Sequence, residues 1–369
     1  MRINGKHYQT IWETDERPSS VAIIDQRFLP HELKIVELKD LEEFVLAIKE
    51  MLVRGAPLIG VLTAYALYFA VRYLDKVDFD EKFAYASKLL LGSRPTAVNL
   101  KNSIELCQKA ISKFSNIDDK KALLLSTARK LRSDDIEICK KIGEHGSQLL
   151  EEIYLRKKGT VHVLTHCNAG WLATIDYGTA LSPIYFARDR GVPLHIWVDE
   201  TRPRLQGANL TTFELLHEHI PHTLIVDNTG GLLMQKGLVD IVIVGTDRTT
   251  RKGDVANKIG TYLKALSAFD NGVPFYVALP STSIDWTITD AFSEIPIEVR
   301  SDDEIKFVWG KSQNELTKVL ICPEGTKSLN YAFDITPARL ITGFITERGI
   351  CPASAEGLLS LFPEFKTTR

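Results

Sequence analysis

The chain has 369 residues, 44% of them hydrophobic, enough for two or three domains of about 150 residues with a sizeable buried core. Its 45 Lys and Arg against 47 Asp and Glu leave a formal charge of -2, which excludes the global positive field of a nucleic-acid or anionic-membrane binder and confines any anion site to a local patch. The cysteines at 107, 139, 167, 322 and 351 are odd in number, scattered and without a C-x-x-C pair, which speaks against a disulfide framework or structural zinc and for reduced thiols in a cytoplasm.

The opening "MRINGKHYQTIWETDERP" lacks the charged-then-apolar pattern of a secretory signal, so none is expected. "SVAIID" and "KIVEL", separated by "QRFLPHE", predict a small β element in the first forty residues. From Asp40 the pattern turns helical, with Leu41, Phe44, Val45, Ile48 and Leu52 on one face and an Asp40/Glu43 pair resembling a capping box. The charge-free run Ala56 to Val71 is shorter than the ~20 apolar residues of a membrane span and begins with a proline, so it predicts a buried helix starting at Pro57. Helical segments continue from about Asp80 to Arg156, with breaks at "GSRP" (92-95) and near "FSNIDD" (114-119).

The texture changes at Lys157. Five runs rich in β-branched residues follow: "TVHVLT" (160-165), "LHIWV" (194-198), "TLIV" (223-226), "DIVIVG" (240-245) and "VPFYVAL" (273-279). Helix-length segments separate most of them, the signature of a parallel sheet with crossover helices. The expected architecture is α/β: a mostly helical N-terminal domain with a small β element (1-156), then a Rossmann-like doubly wound domain (157-369). Ligands of open parallel sheets bind outside the carboxyl ends of the strands, and polar and glycine residues gather there, in "HCNAG", "DETRPRLQG", "DNTGG", "GTDRTTRKGDVANKIG" and "PSTSID".

Cys167 ends the first strand of this domain, with Asn168, Ala169 and Gly170 expected to open a helix whose dipole would lower a thiol pKa. Position alone leaves it open between buried packing and function. His166 should point to the opposite face of the strand, which sets it aside as a partner. Asp247, just past the fourth strand, suits a general acid if its surroundings raise its pKa, and equally suits a turn-capping carboxylate. "VRGAP" (53-57), "SRPTAVN" (93-99) and "ANKIG" (256-260) present Arg54, Arg94, Asn257 and Lys258, the last two at an expected helix start, as candidate anion contacts. Singly, each reads as a solvated charge; together with the strand-end loops they point to a phosphate. His217, His219 and His222 in "HEHIPH" imitate a metal cluster but fall at a helix C-terminus and the connection after it, where histidines interact with the dipole. The chain contains no G-x-G-x-x-G after a strand, no P-loop and no G-x-S-x-G, which removes support for nicotinamide dehydrogenase, P-loop and α/β-hydrolase readings.

Taken together, "VRGAPLIG" (53-60), "SRPTAVNL" (93-100), "THCNAG" (165-170), "DETRPRLQGANLT" (199-211), "GTDRTTRKGDVANKIGTY" (245-262) and "FDITPARLITGFITERG" (333-349) resemble the methylthioribose-1-phosphate isomerase family of methionine salvage. The resemblance implies a cytoplasmic homodimer with a Rossmann-like C-terminal domain, acting on a sugar phosphate without metal or nucleotide cofactor. Nucleic acid and membrane are not expected partners. It places Cys167 and Asp247 as the catalytic cysteine and aspartate proton donor, and Arg54, Gly55, Ala56, Arg94, Gln206, Asn257 and Lys258 as substrate contacts. The implied reaction converts 5-methylthioribose 1-phosphate to 5-methylthioribulose 1-phosphate. The competing expectations are a related pentose 1-phosphate (5-deoxyribose 1-phosphate or ribose 1,5-bisphosphate) as substrate, or a non-catalytic regulatory subunit of the same superfamily. Such a subunit is expected to lack the cysteine.

Overall fold

The computed structural model describes residues 1–16, 18–75, 78–94 and 98–366. The expected β element is a three-stranded antiparallel sheet of β1 (Ile11–Glu13), β2 (Val21–Ile24) and β3 (Ile35–Leu38), with β2 central. Helix α1 (Leu41–Lys49) is capped by Asp40, which accepts the Glu43 N–H at 2.9 Å. Glu43 reaches back to the Lys39 N–H at 2.6 Å, one residue beyond the position a capping box uses.

Helix α2 (Ala56–Val71) has Pro57 in its first turn and is buried on all sides, as its uninterrupted apolar sequence requires. It forms the centre of a helical layer with α1, α3 (Phe79–Ser93), α4 (Val98–Ile111) and α5 (Ile117–Lys157). No helix among the described residues is long and apolar enough to cross a membrane. Helix α3 ends in the expected break, while 95-97 of "SRPTAVNL" lie outside the described residues. Helix α5 runs for 41 residues between the Asn116 cap and Lys158, where φ of +53° stops it.

The five predicted strands all form: β4 (Val161–Thr165), β5 (Leu194–Asp199), β6 (His222–Ile225), β7 (Ile241–Val244) and, after two strands of a second sheet, β10 (Phe275–Ala278). The second sheet holds β8 (Arg248–Thr250) and β9 (Val255–Lys258) between Ile284–Asp285 and β11 (Phe333–Thr336). Two further strands, β12 (Gly343–Thr346) and β13 (Gly349–Pro352), join the main sheet, giving the order β13-β12-β10-β7-β4-β5-β6. All neighbours are parallel except the edge strand β13.

Alternate residues feed the two faces, as strand geometry demands. Val163, Ile196 and Ile243 pack under α5 and α6 (Ser182–Asp189), while Leu164, Val242 and Val277 pack under α8 (Thr229–Gln235) and α9 (Thr261–Asp270). Two sequence expectations fail here. The segment after Cys167 does not open a helix: it makes a 3₁₀ turn at Trp171–Ala173, and α6 starts only at Ser182. Asn257 and Lys258 lie in β9 rather than at a helix start, because α9 waits until Gly260 (φ +103°) has turned the chain.

Candidate active site

Strand order reverses between β4 and β7, which pair directly although β5 and β6 intervene in sequence. That is the switch point at which doubly wound sheets open a crevice at their carboxyl ends. Cys167 follows β4 and Asp247 follows β7, so the two lie on opposite lips of this crevice and line one cavity. Arg54, Gly55, Ala56 and Asn257 share that lining.

Cys167 has a φ of +65°, a left-handed conformation that a β-carbon disfavours. Two threonines hold it there: its N–H donates to Thr201 Oγ1 at 2.8 Å, and its carbonyl accepts from Thr211 Oγ1 at 2.7 Å. Since no helix begins beside it, no helix dipole lowers its pKa. Burial pushes the thiol up instead, against the pull of the Arg54 and Lys258 cations. Burial also pushes the Asp247 carboxyl up, opposed by Lys258, Arg94 and Arg54, while its N–H is tied to the Ala256 carbonyl at 3.0 Å. A carboxyl whose pKa is raised is better suited to giving a proton away than an ordinary carboxylate.

The N-terminal layer supplies the other wall. Gly55 has φ of +94°, and a β-carbon there would lie 2.1 Å from the Ala173 carbonyl oxygen, so only glycine lets α2 meet the 171–173 turn. Beside it, Arg54 Nη1 donates to Asn168 Oδ1 at 2.6 Å and Nη2 to the Asn168 carbonyl at 2.5 Å. A neighbouring cavity shares Ala56 and Asp247, adds Arg94 and Arg248, and is otherwise apolar, with Ile59, Ile295, Ile297 and Phe333.

The remaining candidates are placed unequally. Asn257 is buried, and its Nδ2 donates to Thr261 Oγ1 at 3.0 Å. Lys258 is buried behind the cavity lining; its Nζ donates to the Ala332 carbonyl at 3.1 Å, and burial lowers its pKa. Gln206 precedes the π-helical turn Gly207–Thr211, lines neither cavity, and keeps an unpartnered buried Oε1. Arg94 is held near Glu298, 3.9 Å away, with its Nε unpartnered.

Sequence reasoning missed three residues. His166, set aside above, is buried and joins two loops: Nδ1 lies 2.9 Å from Asp199 Oδ2, and Nε2 donates to the Ile259 carbonyl at 2.8 Å. Asn168 carries Arg54, and Glu214 of α7 (Thr212–His217) lies behind Asn168. Asn168 sits inside the quoted "HCNAG", so it could have been singled out. Nothing local marks Glu214.

Among the described residues, His166, Asp199 and Asp227 are the one group whose ligand atoms converge as a metal site would need. The Lys264 ammonium is already there, 3.1 Å from Asp199 Oδ2 and bonded to the Asp227 carbonyl, so a cation's place is filled by the protein. His217 and His222 bond elsewhere, His217 to the distant Asn4 N–H and His222 to the nearby Ile220 carbonyl.

Residues 52–353 match the model of the initiation factor 2 subunit family. The chain is 52% identical over 368 residues to methylthioribose-1-phosphate isomerase of Desulfatibacillum aliphaticivorans, covering 99% of each. It is 53% identical over 367 residues to that of Rhizobium meliloti, covering 99% of this chain and 100% of the other. Among solved structures it superposes on 5-methylthioribose 1-phosphate isomerase of Pyrococcus horikoshii OT3 with a TM-score of 0.83 at 36% identity and 97% coverage of each chain. The structure of translation initiation factor eIF-2B, subunit delta, from A. fulgidus matches with a TM-score of 0.79 at 37% identity, covering 97% of this chain and all of that one.

Proposed function

The chain belongs to the initiation factor 2 subunit family and, within it, to the methylthioribose-1-phosphate isomerases; from that premise we propose that Cys167 and Asp247 are the reacting pair that turns 5-methylthioribose 1-phosphate into 5-methylthioribulose 1-phosphate. One observation carries the assignment: two half-buried acids on adjacent strand ends line a single cavity whose third wall is an arginine fork at a helix N-terminus.

The phosphate is assigned to Arg54 and the backbone of Gly55 and Ala56, where guanidinium and helix N–H groups suit a dianion. The methylthio end is assigned to the apolar neighbour cavity of Ile59, Ile295, Ile297 and Phe333. Arg94 and Asn257, which line the two cavities, are assigned to the sugar oxygens; Lys258 and Gln206, in neither lining, are assigned to the same group by the family resemblance, Gln206 bringing an unpartnered Oε1.

Because C1 carries phosphate, the ring must open with that group retained. Asp247 gives its proton to the ring oxygen as the bond from that oxygen to C1 breaks, leaving positive charge on C1 and its phosphate oxygen. Cys167 acts as the base once its thiol has ionised, a step that burial opposes and the Arg54 and Lys258 cations favour; it takes the C2 hydrogen as a proton, and the C2–H electron pair becomes a C1=C2 double bond. The proton returns from Cys167 to C1, the C2 hydroxyl returns one proton to Asp247, and the ketose is complete with no net proton gained or lost.

A ketose-formation assay on Cys167→Ser and Asp247→Asn tests the pair, each expected to lose at least about 10²-fold in kcat. Full activity in either variant removes that residue from the mechanism. Complete transfer of a C2 deuterium to C1 would replace the proton relay by a direct hydride shift. Ile59, Ile295, Ile297 and Phe333 favour a methylthio group over the second phosphate of ribose 1,5-bisphosphate, and the two arginines of that lining already face carboxylates, Arg94 near Glu298 and Arg248 on Asp285, so turnover should fall on the bisphosphate. Inactivity on every such sugar phosphate would instead favour the regulatory-subunit reading.

The same proposal includes a cytoplasmic setting, a division into 1–156 and 157–369 near the end of α5, and a homodimer. For the dimer we point to the free edge of β6, where Leu224 and Val226 are exposed, a surface prone to pair with another chain. Light scattering at twice the chain mass is the expected reading.

A further inference from the structure

The cationic end of the cavity is braced by a carboxylate that does not reach the cavity. Glu214 is wholly buried, 46 residues from Asn168 in sequence, and accepts four hydrogen bonds. Oε1 takes Asn168 Nδ2 at 2.8 Å and the Leu172 N–H at 3.1 Å; Oε2 takes the Trp171 N–H at 2.9 Å and the Tyr185 hydroxyl at 2.7 Å. Burying a carboxylate is costly unless its oxygens are satisfied, and these four donors satisfy both. Gly170 makes the approach possible, since a β-carbon there would lie 1.8 Å from Glu214 Oε2.

The bond to Asn168 sets an orientation. A carboxylate only accepts, so the Asn168 side chain must turn its NH₂ toward Glu214, and its Oδ1 then has to face Arg54. Arg54 meets that oxygen with one arm and the Asn168 backbone carbonyl with the other. Each oxygen takes two donors, so a glutamine at 214 would present its NH₂ to two of the four, either Asn168 and Leu172 or Trp171 and Tyr185. If that NH₂ meets Asn168, the amide flips and turns a donor against the guanidinium.

We propose that Glu214 is a positioning residue for phosphate recognition: through Asn168 it fixes the Arg54 fork at the head of α2. The inference rests on the reading of Arg54 as a phosphate contact. Glu214 lines neither cavity, and its link to the proposed phosphate contact runs through Asn168 to Arg54.

The test is calorimetric titration of inorganic phosphate into the full chain, as wild type, Arg54→Ala, Glu214→Gln and the double variant, with KM and kcat measured alongside. Glu214→Gln should weaken phosphate about tenfold or more and raise KM to match, while kcat changes by less than about threefold. In the Arg54→Ala background the same substitution should have no further effect. A residue that merely held the fold together would weaken binding in both backgrounds, and that result overturns the proposal. So does unchanged phosphate affinity in Glu214→Gln while Arg54→Ala binds weakly. Wild-type affinity in Arg54→Ala overturns the proposal together with the reading of Arg54 beneath it. Should Glu214→Gln lack a cooperative melt, Asn168→Ala decides: it leaves Glu214 three of its donors and must weaken phosphate to the same extent, and normal affinity would overturn the inference.

Discussion

Replacing Gly55 by alanine separates the two walls of the cavity at their closest point. The added carbon would lie 2.1 Å from the Ala173 carbonyl oxygen, where ordinary contact begins near 3.4 Å, so α2 and the 171–173 turn must part by roughly 1.3 Å. The backbone at φ +94°, ψ +132° adds strain of about 1–3 kcal/mol for a residue with a side chain. Because Arg54 and Ala56 flank the site of the change, displacement of about 1 Å moves the proposed phosphate contacts relative to Cys167, and misplacement of that size costs about 10²-fold in rate. The expected outcome is kcat/KM for ketose formation lower by about two orders of magnitude. The melting temperature should also fall, by about 2–4 °C per kcal/mol of strain for a domain of this class. Scanning calorimetry and initial-rate measurements on the same preparation read both. Activity within twofold of wild type with an unchanged melting temperature would refute the close approach and the role given to it.

Asp135, buried in α5 and accepting the Ile175 N–H at 2.7 Å, has its carboxyl pushed up to about 7 by burial. Its folded pKa lies above its unfolded value, so ionisation penalises the folded state progressively from about pH 4 to 7, and the penalty is complete above that. Asp135→Asn should therefore raise the melting temperature at pH 8 and have little effect at pH 4; a gain independent of pH would contradict this. Burial of the Cys167 thiol predicts slow alkylation by iodoacetamide at pH 7, accelerating as pH rises and suppressed by inorganic phosphate. Peptide mass spectrometry follows it, and labelling as fast as a free thiol would count against the buried, protonated form.

Much of this arrangement was legible in local pattern. The charge-free Ala56 to Val71 run became the central helix because an all-round apolar surface has nowhere else to go. Four of the five β-branched runs became inner parallel strands for the same reason, and the fifth, β6, pairs along the edge with Leu224 exposed. What stayed hidden depends on partners far away. β12 and β13 are four residues each, carry glycine or proline, and exist as strands because β10 offers an edge. The helix expected after Cys167 is lost because Glu214 captures the N–H groups of Trp171 and Leu172, drawing that segment into a different turn. Lys258 and Asn257 read as a helix start because the glycine that opens α9 is only two residues past Lys258.

The reversal of strand order at β4 and β7 also bears on how the chain acquires activity. The cavity draws on residues near 54, 167, 247 and 257, so no stretch shorter than about two hundred residues contains it. β4 emerges early in synthesis with one edge unpaired, and that edge waits for β7 while β5 and β6 are laid down on the other side. Pairings across such distances form slowly, and an apolar parallel strand with an open edge is a site for misassociation. A nascent or partly unfolded chain is accordingly inert toward substrate and sticky at the place where its chemistry will later reside. Ligands that bridge Arg54 and the carboxyl end of β7 would act as folding aids as well as occupants.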